Sequence, residues 1–181
     1  MSLLSIKETY QMFRKEPDFT ECVTVANPKT LEFEIVRTSL IPGLLKTLKE
    51  NKKEAVPQKL FEISDVCFRD AAEETLTKNQ RRLAVAYLST SLGFETVHGT
   101  LDLLMTKCGI EHGKDYTLQK SSDPMFFETR CADINFHGKV IGKLGTLHPE
   151  VLDNFELKYL VSVLEIDLEV VYDHFVKTQN S

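Results

Sequence analysis

Apolar side chains along this chain change period several times, and each change marks an element. Leu4, Ile6, Tyr10 and Phe13 follow helical spacing and stop before Pro17, because proline disfavours helical backbone at the residue before it. Residues 20–27 alternate apolar and polar positions at period two and predict a half-buried strand; residues 32–37 alternate again, with Phe33 and Ile35 on one face. From 39 to 55 the pattern predicts a helix capped by Ser39, with Pro42 in the first turn, where its missing N–H costs nothing. Residues 58–70 set Leu60, Glu62, Ser64 and Val66 against Phe61, Ile63, Asp65 and Cys67. Residues 81–90 are more continuously apolar and predict a central strand, and the polar residues 70–80 between the two predict an exposed hairpin loop.

Val97, Leu101, Leu104, Met105 and Cys108 define an amphipathic helix that ends at Gly109. Residues 116–121, 129–136 and 139–148 read as strands, the last two joined as a hairpin through His137-Gly138. A short helix led by Pro149 follows, and then a strand over 162–171. Its alternation sets Glu165 and Asp167 opposite Leu164, Ile166 and Leu168, which points both carboxylates to solvent. Strands outnumber helices, and their connections are too short for parallel crossovers. The expected class is α+β: an antiparallel β-sheet with helices across one face.

With 181 residues the chain is long enough for one core. The formal charge of -5 argues against an autonomous nucleic-acid binder, although not against a component of a larger nucleic-acid enzyme. Lys46, Lys49, Lys52 and Lys53 fall at helical spacing among glutamates and read as a solvated face. Four dispersed cysteines without a Cys-x-x-Cys pair fit reduced thiols rather than zinc ligands or a disulfide framework. No apolar run is long enough to span a bilayer, so no membrane contact is expected. Residues 1–16 look like a start joined to a chain interior, the tail of a longer polypeptide.

Specific phosphate, metal and acyl-transfer motifs are absent, and the five histidines never take the three- or four-residue spacing that aims two imidazoles at one metal. His148 before Pro149 reads as a helix cap in preference to a general base. Arg37, Arg69 and Arg130 near strand ends could clamp an anion bidentately, or equally pair with Glu34, Asp70 or Asp133.

The order of Asn27, Pro28, Phe33, Ile35, Arg37, Thr38, Ser39, Leu40, Pro42 and Gly43, followed by 59–68, 93–110, 126–157 and 162–171, resembles the C-terminal, synthetase-like module of the phenylalanine–tRNA ligase beta subunit. The resemblance runs from about residue 20 to 170. It implies a class II aminoacyl-tRNA synthetase-like core (residues 20–181, with 1–19 an N-terminal helical junction in the same domain) that lacks functional motifs. It further implies a cytoplasmic α2β2 heterotetramer whose alpha subunit holds the active centre, uses ATP and Mg2+, and charges tRNA(Phe).

On that resemblance, Phe68-Arg69-Asp70 starts the second class II motif, but Ala71 replaces its carboxylate. Residues 161–181 supply the strand of the third motif without its glycines or arginine, and without a helix of useful length. No catalytic, cofactor-binding or metal-binding residue is therefore expected here. Arg69, Phe127 and His148 are the candidates for a vestigial pocket. The alpha-subunit contact is expected on residues 39–54 or 94–109, aided by exposed apolar residues between Leu4 and Phe13. The alternative is a stand-alone class II synthetase paralogue that binds an aminoacyl-like metabolite through Arg69, Phe127 and His148.

Overall fold

A computed structural model describes residues 3–179. Six antiparallel strands form one sheet: β3 (Gln58–Arg69), β4 (Thr77–Ser89), β5 (Tyr116–Lys120), β6 (Phe126–Phe136), β7 (Lys139–Leu147) and β8 (Leu160–Asp167). Their spatial order is β3-β4-β8-β7-β6-β5, so β8, the last strand in the chain, lies inside the sheet between β7 and the much earlier β4. A two-stranded ribbon, β1 (Leu3–Leu4) with β2 (Ile35–Val36), stands beside it.

Two cores cover opposite faces of the sheet, because consecutive residues of β4 and β8 point opposite ways. On one face, Leu44, Leu45 and Leu48 of α2 (Ile41–Glu50) pack with Ala84 and Ala86 of β4 and Val161 and Val163 of β8. On the other, Val97, Leu101 and Met105 of α3 (Phe94–Lys107) pack with Leu144, Leu164 and Ile166. Each fully buried leucine contributes roughly 1.5–3 kcal/mol. Alanines beneath α2 leave room for its leucines to approach the strand. The α+β class with an antiparallel sheet is as expected, but helices flank both faces instead of one.

Several elements differ from the sequence pattern. The N-terminal helix is broken into α1 (Ile6–Thr9), closed by a Ser5/Glu8 capping box, and a 3-10 turn (Gln11–Phe13) that ends where Arg14 takes φ 61°. Leu4, Tyr10 and Phe13 turn inward and are buried, so they offer no exposed apolar surface to a partner. Residues 20–27 form one isolated bridge, Thr24 to Ile35, and only Ile35–Val36 is strand in the next stretch. Helix α2 starts at Ile41, two residues beyond Ser39, and stops at Glu50. β4 reaches back to Thr77, which shortens the predicted loop to 70–76. Leu168–Gln179 is a helix, α5, where the pattern predicts continued strand and no helix of useful length. Helix α4 (Pro149–Asn154) and the break at Gly109, with φ +73°, agree with the sequence.

Candidate functional site

The α2 face of the sheet is not filled to its edge. Beside the α2 core the alternating positions of β4, β7 and β8 turn polar, and a cleft of about 460 Å³ opens there, with Phe68 of β3 at its side. Cross-strand register sets its floor: Arg82 faces Asp167 across the β4–β8 pair, and Lys143 faces Glu165 across β7–β8. Residues near Tyr10 and the start of α2 form its walls.

Glu165 and Asp167 are both buried, contrary to the outward orientation that alternation suggests. A second helical layer covers the face they occupy, so both need partners. Ser39 Oγ donates to Glu165 Oε2 (2.7 Å) and the buried Leu40 N–H donates to Oε1 (2.8 Å). Leu40, not Ser39, is the N-cap; a carboxylate from β8 accepts the N–H of Leu40 itself, and Ser39 Oγ accepts from the Ile41 N–H (3.2 Å). Asp167 accepts from Gln80 Nε2 (2.5 Å) and from the N–H groups of Glu169 (3.1 Å) and Val170 (3.5 Å), which places its charge at the positive end of α5.

The cations at the floor are similarly engaged. Arg82 lies 5.0 Å from the centroid of the Phe68 ring, donates from Nε to Gln80 Oε1 (2.8 Å) and approaches Glu165 Oε1 at 3.7 Å. Lys15 and Lys143 both reach Asp123 Oδ2 at 2.8 Å. Burial pushes the Asp123 carboxyl upward, but the two ammonium groups outweigh it and hold its pKa below the ordinary carboxylate value. Burial, followed by Cys22, Asp18 and Glu21, raises the Tyr10 phenol on the opposite wall, and its hydroxyl donates to Asp18 O (2.7 Å). Outside the cleft, Arg37 anchors β3: Nε donates to Asp65 O (3.0 Å), Nη1 to Glu62 Oε1 (2.8 Å) and Nη2 to Ser64 Oγ (2.5 Å).

The three residues singled out from the sequence do not line this cleft. Arg69 is exposed at the end of β3, and its N–H donates to Glu21 O (2.8 Å); its neighbour Phe68 faces the cleft. Phe127 and His148 are brought together, with ring centroids 6.4 Å apart and planes 26° from parallel, but Phe126 occupies the inward position. His148 caps α4, as its sequence position suggests, with Nδ1 accepting from Glu150 N–H (3.2 Å). Sequence reasoning missed Gln80, Arg82, Asp123 and Lys143, and it named Glu165 and Asp167 but placed them in solvent. One local signal was available: aspartate followed by glutamate two positions on, as in Asp167-Leu168-Glu169, is a helix-start pattern.

A triphosphate requires cations free to face it. The floor instead carries two buried carboxylates, and its arginine and Lys143 are committed to acidic or amide partners. Among the described residues, no group of three or more His, Cys, Asp or Glu side chains is placed to hold a metal ion.

Comparison with known proteins gives consistent findings. A pyrrolysyl-tRNA synthetase (PylSc) from Desulfitobacterium hafniense superposes over 95% of this chain and 59% of its own, with a TM-score of 0.74 at 15% identity, which shows a shared synthetase-like fold. The phenylalanine–tRNA ligase beta subunit of Drosophila melanogaster is 43% identical over 173 residues, 93% of this chain and 29% of that protein. The human beta subunit is 45% identical over 152 residues, covering 82% and 26%. An Arabidopsis thaliana relative, named as the cytoplasmic beta subunit, is 39% identical over 181 residues, covering 93% and 30%. The chain thus spans less than a third of the length of these relatives. The family model described as the phenylalanyl tRNA synthetase beta chain CLM domain matches residues 1–168, and the chain belongs to that family.

Proposed function

We propose that this chain is the non-catalytic, synthetase-like core of a phenylalanine–tRNA ligase beta subunit. In this reading it supports an alpha subunit's active centre and helps build an α2β2 enzyme, in the cytoplasm, that uses ATP and Mg2+ to attach phenylalanine to tRNA(Phe). The observation that carries the reading is the cleft floor. Glu165 and Asp167 are buried on that floor, where a bound triphosphate would need positive charge, and they are bound to Ser39, Leu40, Gln80 and the start of α5. Releasing either carboxylate to admit phosphate would strand buried donors at a cost of about 1–3 kcal/mol each.

The N-terminal residues belong to the same unit in this reading. Phe13 packs 5.2 Å from Phe155 in the α2 core, and Asn154 Nδ2 donates to Met12 O (3.1 Å). The surface offered to the alpha subunit is then α3, where Leu103 is exposed, because Lys46 and Lys49 on α2 are ion-paired to Glu8 and Glu156 of this chain.

Two measurements test the proposal. Titration calorimetry of the chain with ATP, Mg2+ and phenylalanine is expected to show no binding; saturable binding of either ligand would favour a metabolite-binding paralogue and overturn the non-catalytic reading. Co-expression with a phenylalanine–tRNA ligase alpha chain is expected to give co-elution, and Leu103→Glu is expected to weaken it at least ten-fold. Separate elution of both folded chains would overturn the assembly role.

A further inference from the structure

Strand β3 forms one edge of the six-stranded sheet. Its register with β4 is unbroken from Gln58 to Arg69, so the main-chain groups of alternate residues point to opposite sides along its whole length. The N–H groups of Cys67 and Arg69 donate away from β4, to Arg37 O (3.1 Å) and Glu21 O (2.8 Å). The same parity turns both the N–H and the C=O of Lys59, Phe61 and Ile63 outward. Among the described residues, no backbone hydrogen bond outside the sheet ladder reaches these six groups.

Natural proteins blunt such an edge with charge, proline, a bulge or short length. Here the open stretch carries Phe61, 72% exposed, and Ile63, 49% exposed, on one face. Its two charges leave the edge clear: Lys59 folds back with Nζ 5.8 Å from the centroid of the Tyr87 ring, and Glu62, on the opposite face, is paired with Arg37 Nη1 at 2.8 Å.

We propose that this edge pairs with the same edge of a second copy of the chain, antiparallel, about a two-fold axis at Phe61. The occupant follows from self-complementarity. An axis at Phe61 sets Phe61 against the second copy's Phe61 and Lys59 against the second copy's Ile63, so outward groups meet outward groups and all six on each copy find partners. Each Lys59 lies diagonal to the second copy's Asp65, which Arg81 of its own chain already engages (Nη2 to Oδ2, 3.1 Å), so the pairing sets no charge of like sign against Lys59. The two Lys59 charges stand on the order of 13 Å apart along the strand, beyond the screening length in physiological salt. The two Phe61 rings become cross-strand neighbours and withdraw each other from water. This pairing is independent of the function proposed above.

Sedimentation velocity of the chain from about 1 to about 200 µM tests the pairing, a range suited to an interface at the small end of the specific class. The mass is expected to rise from 20.7 kDa to twice that value as concentration increases. Phe61→Pro removes an N–H that makes no bond to β4 and sits where edge strands tolerate proline; it is expected to weaken association at least ten-fold while circular dichroism stays native. Phe61→Cys supplies a second readout that does not depend on the proline variant folding. Hydrogen-bonded cross-strand partners have Cα atoms about 5.5 Å apart, within disulfide reach, so mild oxidation is expected to link Phe61→Cys and not Lys53→Cys. A monomer at every concentration, association indifferent to a folded Phe61→Pro variant, or equal linking of both cysteine variants would overturn the proposal. So would an edge that pairs only when a different protein is added.

Discussion

Replacing Glu165 by alanine tests the link between β8 and α2 directly. The substitution removes the acceptor of the Leu40 N–H, which lies in a residue only 1% exposed, and the acceptor of Ser39 Oγ. A buried donor left unsatisfied costs about 1–3 kcal/mol, and a hydrogen bond to a charged group contributes about 1.5–3 kcal/mol. Arg82 keeps Gln80 and is partly open to water, so its loss of a 3.7 Å neighbour adds little. The expected destabilisation is therefore about 3–5 kcal/mol, in the range for breaking a buried ionic contact, and lowers the midpoint of thermal unfolding by roughly 10 °C. Glu165→Gln retains one acceptor and loses charge assistance, with an expected cost of about 1–2 kcal/mol. Equilibrium urea unfolding of Glu165→Ala, Ser39→Ala and the double variant reads the cycle, where the two positions should couple by at least about 0.5 kcal/mol. A Glu165→Ala cost below about 1 kcal/mol, or strict additivity with Ser39→Ala, would refute the carboxylate as the cap of α2.

The remaining expectations concern charge and space in the same cleft. Stability from Asp123 with Lys15 and Lys143 is fully present above the unfolded carboxyl pKa of about 3.8 and is lost as pH falls through the lower folded value. Lys15→Met with Lys143→Met leaves burial unopposed, so the carboxyl carbon-13 resonance of Asp123 should titrate at higher pH, and protonating this carboxyl should no longer cost stability as pH falls; an unmoved titration would contradict this. Gly142→Ala would place Cβ 2.3 Å from Glu165 O and 2.8 Å from Ile166 Cα, both backbone atoms of β8 that cannot yield locally, and a loss of about 2–3 kcal/mol is expected. Gly99→Ala on α3 meets nothing within 4 Å and is its control, with an expected gain of up to about 1 kcal/mol from helix propensity. Urea midpoints that move together for the two variants would refute the packing argument.

Elements whose patterns answer to one neighbouring layer were legible in the sequence. Val97, Leu101 and Met105 announce α3, the turn at His137-Gly138 announces the β6–β7 hairpin, and His148-Pro149 announces the start of α4. The cleft was not legible, for a definite reason. Period-two alternation sorts β8 into two faces but does not say whether the polar face is covered; it is covered here by α2 and the residues leading into it, Ser39 and Leu40, which lie more than 120 positions from Glu165. Burial of that carboxylate is a property of a long-range contact that no local window contains. Similarly, the β-branched and aromatic residues after Asp167 favour a strand locally, and tertiary packing of Val171 in the α3 core overrides them. Arg69 and Phe127 were each one position from a residue that does line the cleft, because a single step along a strand reverses the side chain.

The position of β8 has a consequence for biosynthesis. Ribosomes deliver the β3–β4 hairpin and the β6–β7 hairpin before β8, which must then enter between β4 and β7. Until it emerges, a nascent chain holds two half-sheets whose facing borders are unpaired, while α2 waits without the acceptor for its leading N–H. Long-range closure of this kind is slow and leaves borders open to intermolecular pairing. Translation arrest shortly before residue 160 should therefore yield the species most dependent on chaperone protection.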